Sequence, residues 1–157
     1  MSQSFQLVGI DHQQFSALFE LTDEELEHYQ AKRCYAAESD GFPCRITLED
    51  APKGEELLLL PFLHQPAASP YRSSGPIFVR RGVQQRILPI GEVSSYVTKR
   101  LLSVRAYDAA HMMVDATVCE GATVAAEILN QFRRPEVAYI HLHNARRGCF
   151  SCEVVRA

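Results

Sequence analysis

Two stretches in the last third of the chain alternate apolar and polar residues with a period of two, joined by a short connection. In Val137 to His143, Ala138, Ile140 and Leu142 point one way while Val137, Tyr139, His141 and His143 point the other. After Asn144-Ala145-Arg146-Arg147-Gly148, Phe150, Cys152 and Val154 alternate with Cys149, Ser151 and Glu153. A hairpin pairing His143 with Cys149 gathers all six apolar side chains on one side, and a one-residue slip mixes them. That register sets His143 across from Cys149 and His141 across from Ser151. A second hairpin follows the same rule. Leu102, Val104 and Ala106 align with Val114, Ala116 and Val118 when Ala106 faces Val114, which also sets Arg105 against Asp115 as a cross-strand ion pair. Each hairpin has a dry face for helices and a polar face, and the plainest expectation for the polar face is solvent.

Helix signals lie mostly elsewhere. Thr22-Asp23-Glu24-Glu25 is a capping box with Leu21 and Leu26 as its staple, and it predicts a helix from about Asp23 to Gln30. Asp11 caps a segment carrying Phe15, Leu18 and Phe19 on one face. A third helix is predicted from Thr123 to Phe132, with Val124, Ile128 and Phe132 in one stripe and Pro135 beyond it. Ile46-Thr47-Leu48, Leu57 to Leu60 and Ile77-Phe78-Val79 read as strands, Gln65 to Pro76 as a loop, and Gly91 to Lys99 is ambiguous. The fold class expected is α+β: a mainly antiparallel sheet with three or so helices packed on one face, in a single domain spanning residues 1–157.

The formal net charge of -3 argues against nonspecific nucleic-acid binding. Residues 1–60 carry 12 acids and 4 bases, and residues 61–157 carry 7 acids and 12 bases. The simpler account of this split is Arg-to-carboxylate pairing inside the domain; the alternative is an anionic small ligand. No stretch approaches the roughly 20 apolar residues of a membrane span, so no membrane partner is expected. Met1-Ser2-Gln3-Ser4 shows no signal-peptide pattern, and five cysteines suit free thiols in a cytoplasmic setting.

Five groupings carry candidate chemistry. Cys149 beside His143 is the candidate catalytic pair, a thiol whose proton an imidazole can take. Cys149-Phe150-Ser151-Cys152 spells C-x-x-C, but strand residues three apart face opposite ways, so a shared disulfide or metal is rejected. His141 and His143 share one strand face and with Cys149, and His64 or Cys44, would compose a zinc set. Local geometry positions only the first two, so the reading here is two partly exposed histidines and no metal. Tyr71-Arg72-Ser73-Ser74-Gly75 collects a guanidinium and hydroxyls in one loop, the ingredients of an anion clamp. Arg105, Tyr107, His141 and Asn144 complete the candidate ligand-binding set on the polar face.

Gly41-Phe42-Pro43-Cys44-Arg45, Leu48-Glu49-Asp50-Ala51, the run from Ser69 to Arg80, Arg105-Ala106-Tyr107-Asp108 and His143-Asn144-Ala145-Arg146-Arg147-Gly148-Cys149 together resemble the bacterial domain-of-unknown-function family 1203. The resemblance runs over nearly the whole chain. It implies a small stand-alone bacterial protein and carries no activity or cofactor. His111 stands where that pattern has glycine, and Cys152 is peculiar to this chain, so neither is carried over as functional. The sequence therefore leaves two readings. One is a small-molecule (anionic) ligand-binding protein or small enzyme with its pocket over the polar sheet face. The other is a noncatalytic interaction protein, in the form of a homodimer that buries that face.

Overall fold

The computed structural model describes residues 4–157; the expectation drawn from Met1-Ser2-Gln3 lies outside them. Ten strands, numbered along the chain, form two five-stranded sheets. The first runs β1 (Phe5–Val8), β10 (Phe150–Arg156), β9 (Tyr139–Asn144), β7 (Leu101–Tyr107), β8 (Met113–Glu120), every neighbouring pair antiparallel. The second runs β2 (Lys32–Tyr35), β5 (Glu56–Gln65), β6 (Ser73–Arg80), β3 (Pro43–Cys44), β4 (Glu49–Asp50), and only β3 and β6 run parallel. The fold is α+β with mostly antiparallel sheets.

Three helices packed on one face are not found among the described residues. Only α3 (Val124–Phe132) exceeds two turns; α1 (Asp23–Glu27) and α2 (Ser95–Thr98) are short. The capping box at Thr22 is formed, with Thr22 Oγ1 accepting from the Glu25 amide and Glu25 accepting from that of Thr22. The helix nevertheless stops early, because Gln30 adopts a left-handed φ of 52° and turns the chain into β2. Residues 12–20 form two 3-10 segments that press Phe15 and Phe19 onto the second sheet. A second sheet thus receives the apolar side chains of residues 15–26, while α3 and α2 pack on the apolar face of the first. No helix among the described residues is long and apolar enough to cross a membrane.

Two main cores result. One packs Val124, Ile128 and Phe132 of α3, with Tyr96 and Val97 of α2, on Val104, Ile140, Leu142, Cys152 and Val154 of the first sheet. The other joins Phe15, Phe19 and Leu26 to Leu58, Leu60, Ile77 and Val79 of the second sheet, and it takes in Phe150 from the first. The buried Arg45 guanidinium fastens the same junction, donating from Nε to the Phe150 carbonyl at 2.8 Å. The charge split is explained by pairing: Arg81 meets Glu20 and Glu56, Arg86 meets Glu49, and Arg100 and Lys99 meet Asp50.

Gly121 marks where α2 and α3 meet. A Cβ there would lie 2.3 Å from the Val97 carbonyl oxygen, 2.5 Å from that of Thr98 and 2.6 Å from that of Arg100. All three obstacles are backbone, so none can rotate aside. Gly121→Ala is expected to cost about 2–3 kcal/mol, the upper range of overpacking. Urea unfolding checks it, and a midpoint equal to wild type would refute the contact.

Both hairpins form, each with a register other than the alternation predicts. In the β9–β10 pair, Phe150 faces His143, Cys152 faces Leu142 and Glu153 faces His141, with a bulge at Ser151. The extra residue turns Phe150 to the opposite face from Cys152 and Val154, into the second sheet's core. Uniform alternation cannot express a bulge, and Phe150 is the residue it misplaces. Cys152 stays on the face away from His143, and both Cys149 and Cys152 are free thiols. In the β7–β8 pair, Ala106 faces Asp115 and Arg105 faces Ala116, so the Arg105–Asp115 pair is not made. Asp115 instead accepts from Gln131 Nε2 at 2.9 Å and pairs with Arg134, which draws it to the helix side. β8 is an edge strand, and Val118 is left 60% exposed, so burial enforces its register weakly.

Candidate functional site

The polar face of the first sheet is covered, not solvated. The far end of β5 crosses it, and His141 and His143 are 4% and 1% exposed. On β5, Leu58, Leu60, Phe62 and His64 alternate onto one face, which carries His64 over β9. His64 stands edge-on to His143, ring centroids 4.9 Å apart at 82°, and its centroid is 6.4 Å from that of His141. It also stacks on Phe150 at 5.4 Å and 5°, while Phe150 meets His141 and His143 at steep angles. One side-chain nitrogen from each of His64, His141 and His143 lies within 4.8 Å of the others.

Hydrogen bonds determine which nitrogens are free. His143 Nδ1 donates to the Gly148 carbonyl at 2.9 Å, so its lone pair is on Nε2. Arg105 Nη1 stands 3.5 Å from that Nε2, and Arg105 Nε donates to Ser103 Oγ at 3.1 Å. Nδ1 of His64 and Nδ1 of His141 are buried without a partner among the described residues. Burial lowers the His141 pKa to about 3, helped by His143, His64 and Arg105. Burial likewise lowers His143 to about 4, with the Gly148 carbonyl opposing and Arg105, His64 and Arg45 assisting. His64 is lowered by burial and by Arg105. At neutral pH all three imidazoles are neutral, and two of them are left with a buried, unsatisfied ring nitrogen.

Tyrosines extend the site along the sheet. Tyr107 and Tyr139 stack at 5.2 Å and 9°, Tyr71 meets Tyr107 edge-on, and Tyr139 Oη is bonded by Gln65 Nε2 at 2.9 Å and His111 Nδ1 at 2.8 Å. An open groove of about 690 Å³ runs past the other side, with His64, Phe150 and Glu153 on its wall.

The sequence-derived site residues divide accordingly. His141, Arg105 and Tyr107 gather on the covered face, with Tyr71 and Ser73 reaching it from beside the connecting loop. Ser73 Oγ lies 3.3 Å from His64 Nε2. A hydroxyl beside an imidazole is half of a nucleophile system, but His64 Nδ1 meets no acid, so the orienting third group is missing. Arg72 donates to the Pro66 carbonyl and ties its own loop, and Ser74 is exposed. Asn144 has a buried, unpartnered Oδ1. Cys149 is half-buried, and Phe150 takes the place opposite His143 that the sequence register assigns to the thiol. Among the described residues no hydrogen bond joins the Cys149 thiol to His143. His64 is the contributor that local sequence could not position. Its signal is the β5 alternation continuing through Pro61, which pairs with Pro76 and does not end the strand.

The sequence profile of DUF1203, described as a protein of unknown function, matches residues 41–156. The chain belongs to the DUF1203 family. The matched region holds His64, Arg105, His141 and His143. Comparisons with curated proteins and with solved structures gave no match. His111 has φ 63°, in the left-handed region where glycine is favoured.

Proposed function

We propose that this DUF1203 protein binds a small anionic molecule over the histidine face, with Arg105 as its principal anchor. The observation that carries this reading is the state of the Arg105 guanidinium. It is half-buried beside neutral imidazoles, has no carboxylate partner among the described residues, and its Nη2 donates to none of them. Arg81, Arg86 and Arg100, by contrast, spend their charge on Asp or Glu, and Arg45 and Arg72 donate to backbone carbonyls. A guanidinium fork left open in a partly dry setting suits carboxylate or phosphate. Ser73 and the tyrosine hydroxyls supply neutral hydrogen bonds around it. That the chain itself covers His141 and His143 supports the ligand-binding reading over that of a homodimer burying this face. The five thiols, all unpaired, suit the bacterial cytoplasm in which we place it.

Isothermal titration with phosphate, sulfate and small carboxylates is the test, run on wild type, Arg105→Ala and Arg72→Ala. Arg105→Ala is expected to weaken binding at least tenfold, about 1.4 kcal/mol. Arg72→Ala should weaken it less, acting through the loop. An equal loss in Arg72→Ala would move the anchor to that loop, and no heat in wild type would remove the reading.

A further inference from the structure

The structure assigns a transition-metal site to His64, His141 and His143, with a fourth position open to an exogenous ligand. Three observations on separate elements converge on it. The first is geometric: β5 of one sheet and β9 of the other bring three imidazole nitrogens within 4.8 Å of one another. Nitrogens around a tetrahedral zinc, at metal–nitrogen distances of about 2.1 Å, stand roughly 3.4 Å apart. Ring rotations that move each nitrogen by less than about 1 Å close that difference.

The second observation is unsatisfied polarity. His141 is 96% buried, counting from its 4% exposure, and its Nδ1 has no hydrogen-bond partner; the buried Nδ1 of His64 has none either. Buried ring nitrogens without partners are costly, and two of them belong to histidines of this cluster, so a partner for them is missing there. The third is tautomer selection. The Gly148 carbonyl accepts from His143 Nδ1 and leaves Nε2, where Arg105 Nη1 stands at 3.5 Å, as the nitrogen with a lone pair; a backbone carbonyl on the other ring nitrogen is how metal-binding histidines are commonly held.

The donor set selects the metal class. Three neutral imidazoles suit Zn²⁺, Co²⁺, Ni²⁺ or Cu²⁺ and exclude the hard, oxygen-seeking Mg²⁺ and Ca²⁺. Three protein ligands with a vacancy is the pattern of sites that take water or substrate in the fourth position. Arg105 Nη1, 3.5 Å from His143 Nε2, would repel a bare dication. It becomes favourable once an anion lies between metal and guanidinium. The inference thus deepens the anion reading and rests on it for the identity of the fourth ligand, though the three-histidine site stands without it.

The test uses full-length protein stripped with chelator and then titrated with Co²⁺ and Zn²⁺ near pH 7.5. Expected are one equivalent of tightly bound metal and visible Co²⁺ bands of a nitrogen- and oxygen-ligated tetrahedral ion. His64→Phe keeps the stacking on Phe150 while deleting one ligand, and it should weaken metal at least about 100-fold with an unchanged metal-free melting curve. His141→Ala should do the same, and His64→Phe keeps the test decisive if that variant fails to fold. Five free thiols could also capture metal, so sulfur-to-cobalt charge-transfer absorption would overturn the assignment. So would binding that His64→Phe leaves intact, or no binding by wild type. Phosphate heat in chelator-treated wild type without metal binding sinks the metal site alone. Metal binding lost in His64→Phe with no anion heat removes only the anion reading.

Discussion

Asp50→Ala is expected to lower the unfolding free energy by about 3–5 kcal/mol, the cost of leaving a buried charge without its partner. The Asp50 side chain is 6% exposed and receives Arg100 Nη2 at 2.6 Å and Lys99 Nζ at 2.7 Å. Burial alone would raise its carboxyl pKa. The hydrogen bonds and charges of Arg100 and Lys99 outweigh that and hold it below the usual range. Arg100, 19% exposed, also donates to the Tyr96 carbonyl and lies over the Tyr96 ring. Removing the carboxylate therefore strands a guanidinium against an aromatic core residue. The pair has a positional role too: Asp50 ends β4 of the second sheet, and Arg100 immediately precedes β7 of the first. It braces the sheets against each other, which is what brings His64 over His141 and His143. Denaturant unfolding of Asp50→Ala, Arg100→Met and the double variant measures the coupling. A loss under 1 kcal/mol for Asp50→Ala would mean that water reaches the pair and the brace is weak.

The site was half legible in the sequence, and the division has a physical cause. Period-two alternation places His141 and His143 on one face because that needs only the geometry of one strand. The capping box at Thr22 and the α3 stripe are local in the same sense, and both are present. His64 is 77 positions from His141, and no local rule brings them together; it takes the packing of one sheet across another. The bulge at Ser151 has a similar origin. Within β10 the apolar Phe150 fits either face, and the second sheet's core decides which one it joins. The missing helices reflect length. The segment around Phe15 and Phe19 has a cap and an apolar stripe, but each piece is too short to complete more than a 3-10 turn. Alternation thus fails for two reasons: at Phe150 the second sheet's core overrides it, next to the site, and along the edge strand β8 burial enforces register only weakly.

Acid is expected to unfold the metal-free protein at a pH where most surface carboxylates are still ionised. His141 and His143 titrate in the folded state at about 3 and about 4, against 6.5 for a free imidazole, because burial disfavours the cation. The unfolded chain therefore binds these two protons first. The stability they confer is fully present above pH 6.5 and falls as pH drops from there toward the folded values. Between pH 7 and pH 5 each histidine should remove about 2 kcal/mol, close to 4 kcal/mol together, a large part of a typical domain's 5–15 kcal/mol. Chemical denaturation in chelator at pH 7, 6 and 5 measures the slope. His141→Gln should be less stable at pH 7 yet about half as sensitive to pH, since a neutral amide takes up no proton. If wild type holds its stability from pH 7 to 5, the two imidazoles are hydrated in solution and the closed face described above opens to water. If wild type loses stability but His141→Gln loses it equally, the protons go elsewhere, and the pairing of His141 with His143 under β5 is not what couples this fold to pH.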